Sequence, residues 1–68
     1  MESITLRAAR VNAGLTAKAA AERLGITVDT LSSWERGMTF PNVPQIQQIE
    51  GLYGVPYHQL NFLPRDNG

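Results

Sequence analysis

The chain has 68 residues, enough for one domain and no second, and a fold of that size buries only about 60% of the surface its unfolded chain exposes. Apolar residues make up 43% of it, a globular composition that excludes a disordered chain. With no cysteine it has no disulfide and no thiolate zinc site. Six Lys+Arg against six Asp+Glu leave no net charge, so any nucleic-acid surface must come from sorting charge onto one face.

Glycine punctuates the chain: Gly14, Gly25, Gly37 and Gly54 each follow a stretch with helical periodicity, which predicts short helices with tight connections. Strict apolar–polar alternation is scarce, so strands are not expected. The first helix is predicted over 4–13, with Ile4, Leu6, Ala9 and Ala13 on its buried side and Gly14 at its end. Thr16 is the N-cap of a second, alanine-rich helix that stops at Gly25. Thr27 caps a third, with Asp29 in the first turn, Leu31 and Trp34 inward, and Gly37 closing it. After a loop over 38–41, Asn42 caps a fourth helix whose apolar positions are Val43, Ile46, Ile49 and Leu52 or Tyr53, with Pro44 in the first turn and Gly54 at the end. A last short helix is predicted over 56–62, carrying Tyr57 and Leu60. The domain is expected over 1–63, with 64–68 a disordered tail. The longest apolar run, Ala19-Ala20-Ala21, is far below the ~20 residues of a membrane span, and the N-terminus has no apolar signal core; both predict a cytoplasmic protein without a membrane partner.

The informative stretch is 16–37: cap, short helix, Gly25, cap, second helix, Gly37. Two helices that cross steeply over a short turn need a small residue at the crossing, supplied by Ala21. They also need a residue tolerant of positive φ in the turn, supplied by Gly25. Ala20, Leu24, Ile26, Leu31 and Trp34 then form the wedge of core beneath, and the front of the third helix points outward.

At these residues the chain resembles the phage repressor and Cro family of helix-turn-helix proteins. The resemblance is carried by Gly14-Leu15-Thr16, Ala20-Ala21-Glu22-Arg23-Leu24-Gly25-Ile26-Thr27, Leu31-Ser32-Ser33-Trp34-Glu35-Arg36-Gly37, Pro41 and Tyr53-Gly54-Val55, and covers about residues 6–63. It implies an all-α fold, a compact four- to five-helix bundle with a helix-turn-helix at 16–36. It implies roles as well. Arg10 and Glu35 match a salt bridge between the first and third helices. Thr16, Ala17 and Lys18 match the helix start that sits over a phosphate. Thr27, Val28, Asp29, Thr30 and Ser33 match positions facing phosphates and base edges, and Arg36 and Thr39 match a loop on the sugar–phosphate backbone. In the family, dimers often pair through the region from the third helix onward. Here Met38, Phe40, Tyr57 and Phe62 either finish a small core or form such a patch.

Three positions depart from the family pattern. Ala17 stands where glutamine is common, and Val28 and Asp29 stand where longer polar residues are common. Val28 suits a thymine methyl; Asp29 either accepts from a cytosine amine or repels phosphates. The cations expected on the face are Lys18 and Arg36, with Arg7 and Arg23 at its margins. So few predict a shallow salt dependence and modest affinity per copy, which two-fold avidity on a palindromic site would raise.

The reading from sequence is a small regulator, repressor-like or Cro-like and of phage or mobile-element type, that binds double-stranded operator DNA, either as a single copy or as a homodimer, and needs no cofactor. The alternative is a protein–protein interaction module on the same fold, antirepressor-like or antitoxin-like, with a protein partner and weak DNA binding. Neutral charge, Ala17 and Asp29 favour it. No enzyme is expected: Glu22, Glu35 and Glu50 lie on different helices with no nucleophile beside them. His58 has no second histidine or cysteine with which to hold a metal.

Overall fold

A computed structural model describes residues 3–62. Four helices dominate: α1 (Leu6–Asn12), α2 (Ala17–Leu24), α3 (Val28–Glu35) and α4 (Val43–Tyr53). The fold is therefore all-α, with the helix-turn-helix formed by α2, its turn and α3.

Each helix begins at a side-chain cap. The backbone N–H of Ala8 donates to Thr5 Oγ1, that of Ala19 to Thr16 Oγ1 and that of Thr30 to Thr27 Oγ1, each at 3.1 Å. At α4, Gln45 N–H donates to Asn42 Oδ1 at 2.9 Å while Asn42 N–H donates back to Gln45 Oε1 at 2.8 Å, a reciprocal capping box. Each such cap stabilises its helix by about 1 kcal/mol, a large contribution in so small a domain.

The core is a single cluster to which every helix contributes. Leu6, Leu31 and Ile49 are fully buried, and Ala20, Ala21, Leu24, Trp34, Tyr53 and Leu60 close around them. Ala20 and Ala21 let α2 lie close to α3, and Gly25, at φ 72°, makes the left-handed turn between them. Burying each of the three large aliphatic side chains stabilises the fold by about 1.5–3 kcal/mol.

Both ends differ from the sequence expectation. Ile4 and Thr5 are not helical; they form a short strand, β1 (Ile4–Thr5), paired in parallel with β2 (Leu60–Asn61), in the register Ile4↔Leu60 and Thr5↔Asn61. Thr5 is extended, with ψ 158°, and caps α1, so the helix cannot start earlier. The expected fifth helix reduces to one 3-10 turn, Tyr57–Gln59, because Leu60 leaves it in extended geometry to meet β1. Two-residue strands are too short to show alternation, and their pairing joins opposite ends of the domain. Ala13, expected on the buried side of α1, is the exposed C-cap where the chain leaves the helix. Val43, expected to face the core, is 66% exposed. At 100° per residue it lies about 120° around α4 from Ile49, on the flank of the buried stripe. The expected tail, 64–68, lies outside the described residues.

Candidate nucleic-acid interface

Val28–Glu35 are helical between the caps Thr27 and Arg36, and the leading end of α3 is uncovered: Thr27, Val28 and Asp29 are exposed. Leu31 and Trp34 anchor the inner side of the helix, at 0% and 3% exposure, so one face is fixed in the core and the other is presented. The start of α2 lies nearby, with Thr16 and Lys18 exposed and Ala17 half-buried against the core.

Arg10 and Glu35 hold α3 to α1. Arg10 Nε donates to Glu35 Oε2 at 2.7 Å, and Nη2 donates to Oε1 at 3.4 Å. Arg10 Nη1 also donates to the Leu15 carbonyl at 3.0 Å, so one guanidinium ties α1, the α1–α2 loop and α3 together. Both side chains are 11% exposed. Hydrogen bonding to Glu35 outweighs burial and raises the Arg10 pKa above its ordinary value, keeping it charged.

Two open hollows, each of about 440 Å³, flank α3. The first lies toward α1 and α2. Val28, Ser32, Glu35 and Arg36 form its α3 side, and it is completed by Arg7 and Arg10 of α1 and Ala17 of α2. Three arginines share it with one carboxylate, which Arg10 neutralises, so this side of α3 is positive. The second hollow lies toward the α3–α4 loop and is lined by Asp29, Thr30, Ser33, Trp34, Thr39 and Gln45. Among the described residues it contains a carboxylate and no cation.

The sequence-predicted residues thus divide. Ala17, Val28 and Arg36 are brought together in the positive hollow, and Asp29, Thr30, Ser33 and Thr39 in the other. Thr16, Lys18 and Thr27 line neither. Thr27 is occupied as a cap and donates its hydroxyl proton to Thr30 Oγ1 at 3.0 Å; Thr16 uses its oxygen as acceptor and keeps its proton for a further partner. Arg23, in the last turn of α2, lines neither hollow.

Sequence reasoning missed Ser32 and Gln45 and left Arg7 at the margin. Ser32 was legible: with Val28 and Arg36 it repeats every fourth residue, the spacing of one helix stripe. Gln45 was legible as the partner of Asn42 in a capping box. The place of Arg7 depends on how α1 docks, which no local pattern reveals.

The aromatic residues after α3 form a second surface. Met38, Phe40, Val43 and Tyr57 are 69%, 55%, 66% and 53% exposed. Phe62 is half-buried against the core, with its ring 5.9 Å from that of Tyr57. Tyr53 is buried, and its hydroxyl has no hydrogen-bond partner among the described residues. Burial, then the nearby Glu35 carboxylate, push its pKa up to about 12. No described helix is long and apolar enough to cross a membrane, and no described group of histidine and acidic side chains is arranged to hold a metal ion.

A family model described as helix-turn-helix matches residues 6–60, nearly the whole described chain. No curated protein and no solved structure matched the chain.

Proposed function

This chain belongs to the Cro/C1-type helix-turn-helix family, whose members bind double-stranded DNA as transcription regulators, and from that premise we propose that it is a small repressor or Cro-like protein, of phage or mobile-element type, that occupies a palindromic operator. The observation that carries this reading is the uncovered leading end of α3, fixed from behind by Leu31 and Trp34 and flanked by a positive hollow. A helix presented in this way fits the major groove of B-DNA, about 12 Å wide.

In this reading Val28, Asp29, Thr30 and Ser33 face base edges. Val28 meets a thymine methyl, Asp29 accepts from a cytosine amine, and the two hydroxyl residues serve either donor or acceptor edges. Thr16 and Lys18 meet phosphates through their side chains and Thr27 through its backbone N–H, Ala17 contributes its methyl and the free backbone N–H of a helix start, and Arg36 and Thr39 follow the sugar–phosphate strand. Repression is steric: the operator is covered and polymerase is excluded. So few cations give one copy modest affinity, and a second copy doubles the phosphate contacts. The exposed Met38, Phe40, Val43 and Tyr57, with the edge of Phe62, supply apolar area for pairing two copies.

The test is selection from a random duplex library, with the mass of the complex measured alongside. An enriched palindrome bound by two chains supports the proposal; failure to enrich any duplex overturns it. One observation favours a second reading, a protein-binding module: Asp29 lies on the exposed end of α3, in a hollow that holds no cation among the described residues. Under that reading no duplex is enriched and binding to random DNA stays weak even in low salt.

A further inference from the structure

We infer that Arg7 is a DNA-backbone contact and that the hollow between α1, the start of α2 and α3 is a seat for one sugar–phosphate strand, with Arg7 and Arg36 neutralising a phosphate each. The inference rests on the DNA-binding reading above and adds to it a residue and a direction of approach. Arg7 lies on α1, outside the helix-turn-helix, yet it is exposed and lines the same hollow as Val28, Ser32 and Arg36. The two arginines enter from different walls, one on α1 and one just beyond the end of α3. The carboxylate in the hollow, Glu35, does not oppose an anion there, because Arg10 holds it at 2.7 Å. Ser32, half-buried in the same hollow, offers a hydroxyl donor to a phosphate oxygen.

The opposite side of α3 has no such capacity. Its hollow holds Asp29 and no described cation, so a backbone that Thr39 meets gains no ion pair there, and phosphates are drawn more strongly to the α1 side. The charge asymmetry across α3 therefore sets which flank lies against the backbone when the leading end enters the groove. A neutral chain achieves this by placing two exposed arginines, Arg7 and Arg36, on one flank.

The test uses Arg7→Gln, Arg36→Gln and Arg23→Gln in the full chain, titrated against a random-sequence 30-base-pair duplex over a series of KCl concentrations. Far-UV circular dichroism confirms the fold of each, since all three side chains are exposed. Each phosphate contact contributes about 0.9 to the slope of log affinity against log salt. Arg7→Gln is expected to lower that slope by about 0.9 and to weaken binding roughly eight-fold at 0.1 M salt, equally on all sequences. Arg36→Gln is expected to do the same, and Arg23→Gln, outside the hollow, to leave the slope unchanged. A slope for Arg7→Gln equal to that of the parent chain, while Arg36→Gln lowers it, overturns this inference and leaves the DNA-binding reading intact. Equal losses from Arg7→Gln and Arg23→Gln also overturn it, because they show a diffuse charge effect and no seat. No salt-dependent binding by the parent chain overturns both.

Discussion

Glu35→Gln tests how α3 is held. The substitution keeps the shape of the side chain and an acceptor for Arg10 Nε but removes the charge. Arg10 is then a guanidinium at 11% exposure with two neutral acceptors, the amide and the Leu15 carbonyl. A hydrogen bond between charged groups contributes about 1.5–3 kcal/mol and a neutral one about 0.5–1.5, and removing one partner of a fully buried pair costs about 3–5. With some solvent still reaching the pair, the expected loss is about 2 kcal/mol. A domain of 68 residues has about 3–10 kcal/mol in total. At about 4–8 °C per kcal/mol, the melting temperature should fall by roughly 8–16 °C. Urea unfolding followed by Trp34 fluorescence gives the free energy directly. Arg10→Met with Glu35→Leu should recover most of the loss, because a packed apolar pair needs no desolvation. A loss below about 0.5 kcal/mol for Glu35→Gln is the behaviour of a solvated surface pair and refutes the reasoning.

Three further outcomes are expected. Tyr53→Phe removes a buried hydroxyl with no hydrogen-bond partner among the described residues and should leave stability unchanged or raise it by up to about 1 kcal/mol. With its pKa raised in the fold from 10.0 to about 12, Tyr53 stabilises fully below pH 10 and loses that contribution as pH rises toward 12. The alkaline decline in stability should therefore be smaller in Tyr53→Phe, and identical declines in the two proteins would count against the burial argument. Gly25→Ala meets no atom within 4 Å but must adopt φ 72°; it should cost about 1 kcal/mol in chemical denaturation, and Gly25→Asn less. Asp29→Asn should strengthen binding to random duplex and alter the preferred base opposite it; unchanged selection would remove Asp29 from the reading set.

Much of this was legible along the chain because its signals are local. The threonine caps, the alanines of α2 and Gly25 specify the helix-turn-helix within a single stretch, and periodicity alone finds Leu31 and Trp34. What was not legible depends on distant docking. β1 and β2 exist only because Ile4 and Leu60 meet, and the path of the chain to that meeting unwinds the expected last helix after Gln59. The site divides the same way. The positions on α3 follow from helical spacing. Their partition between a positive and a negative flank follows from where α1 and the α3–α4 loop pack, which puts Arg7 in one hollow with Arg36 and Gln45 in the other with Asp29.

The central claim is that the leading end of α3 enters the duplex with its α1 flank against the backbone. Amide chemical-shift mapping of the labelled chain, titrated with a duplex enriched by selection, tests it most directly. The account predicts the largest shifts at 16–18, 27–33 and 36, with Arg7 among them. Shifts confined to the aromatic surface of Phe40, Tyr57 and Phe62, with 27–33 unmoved, would contradict it.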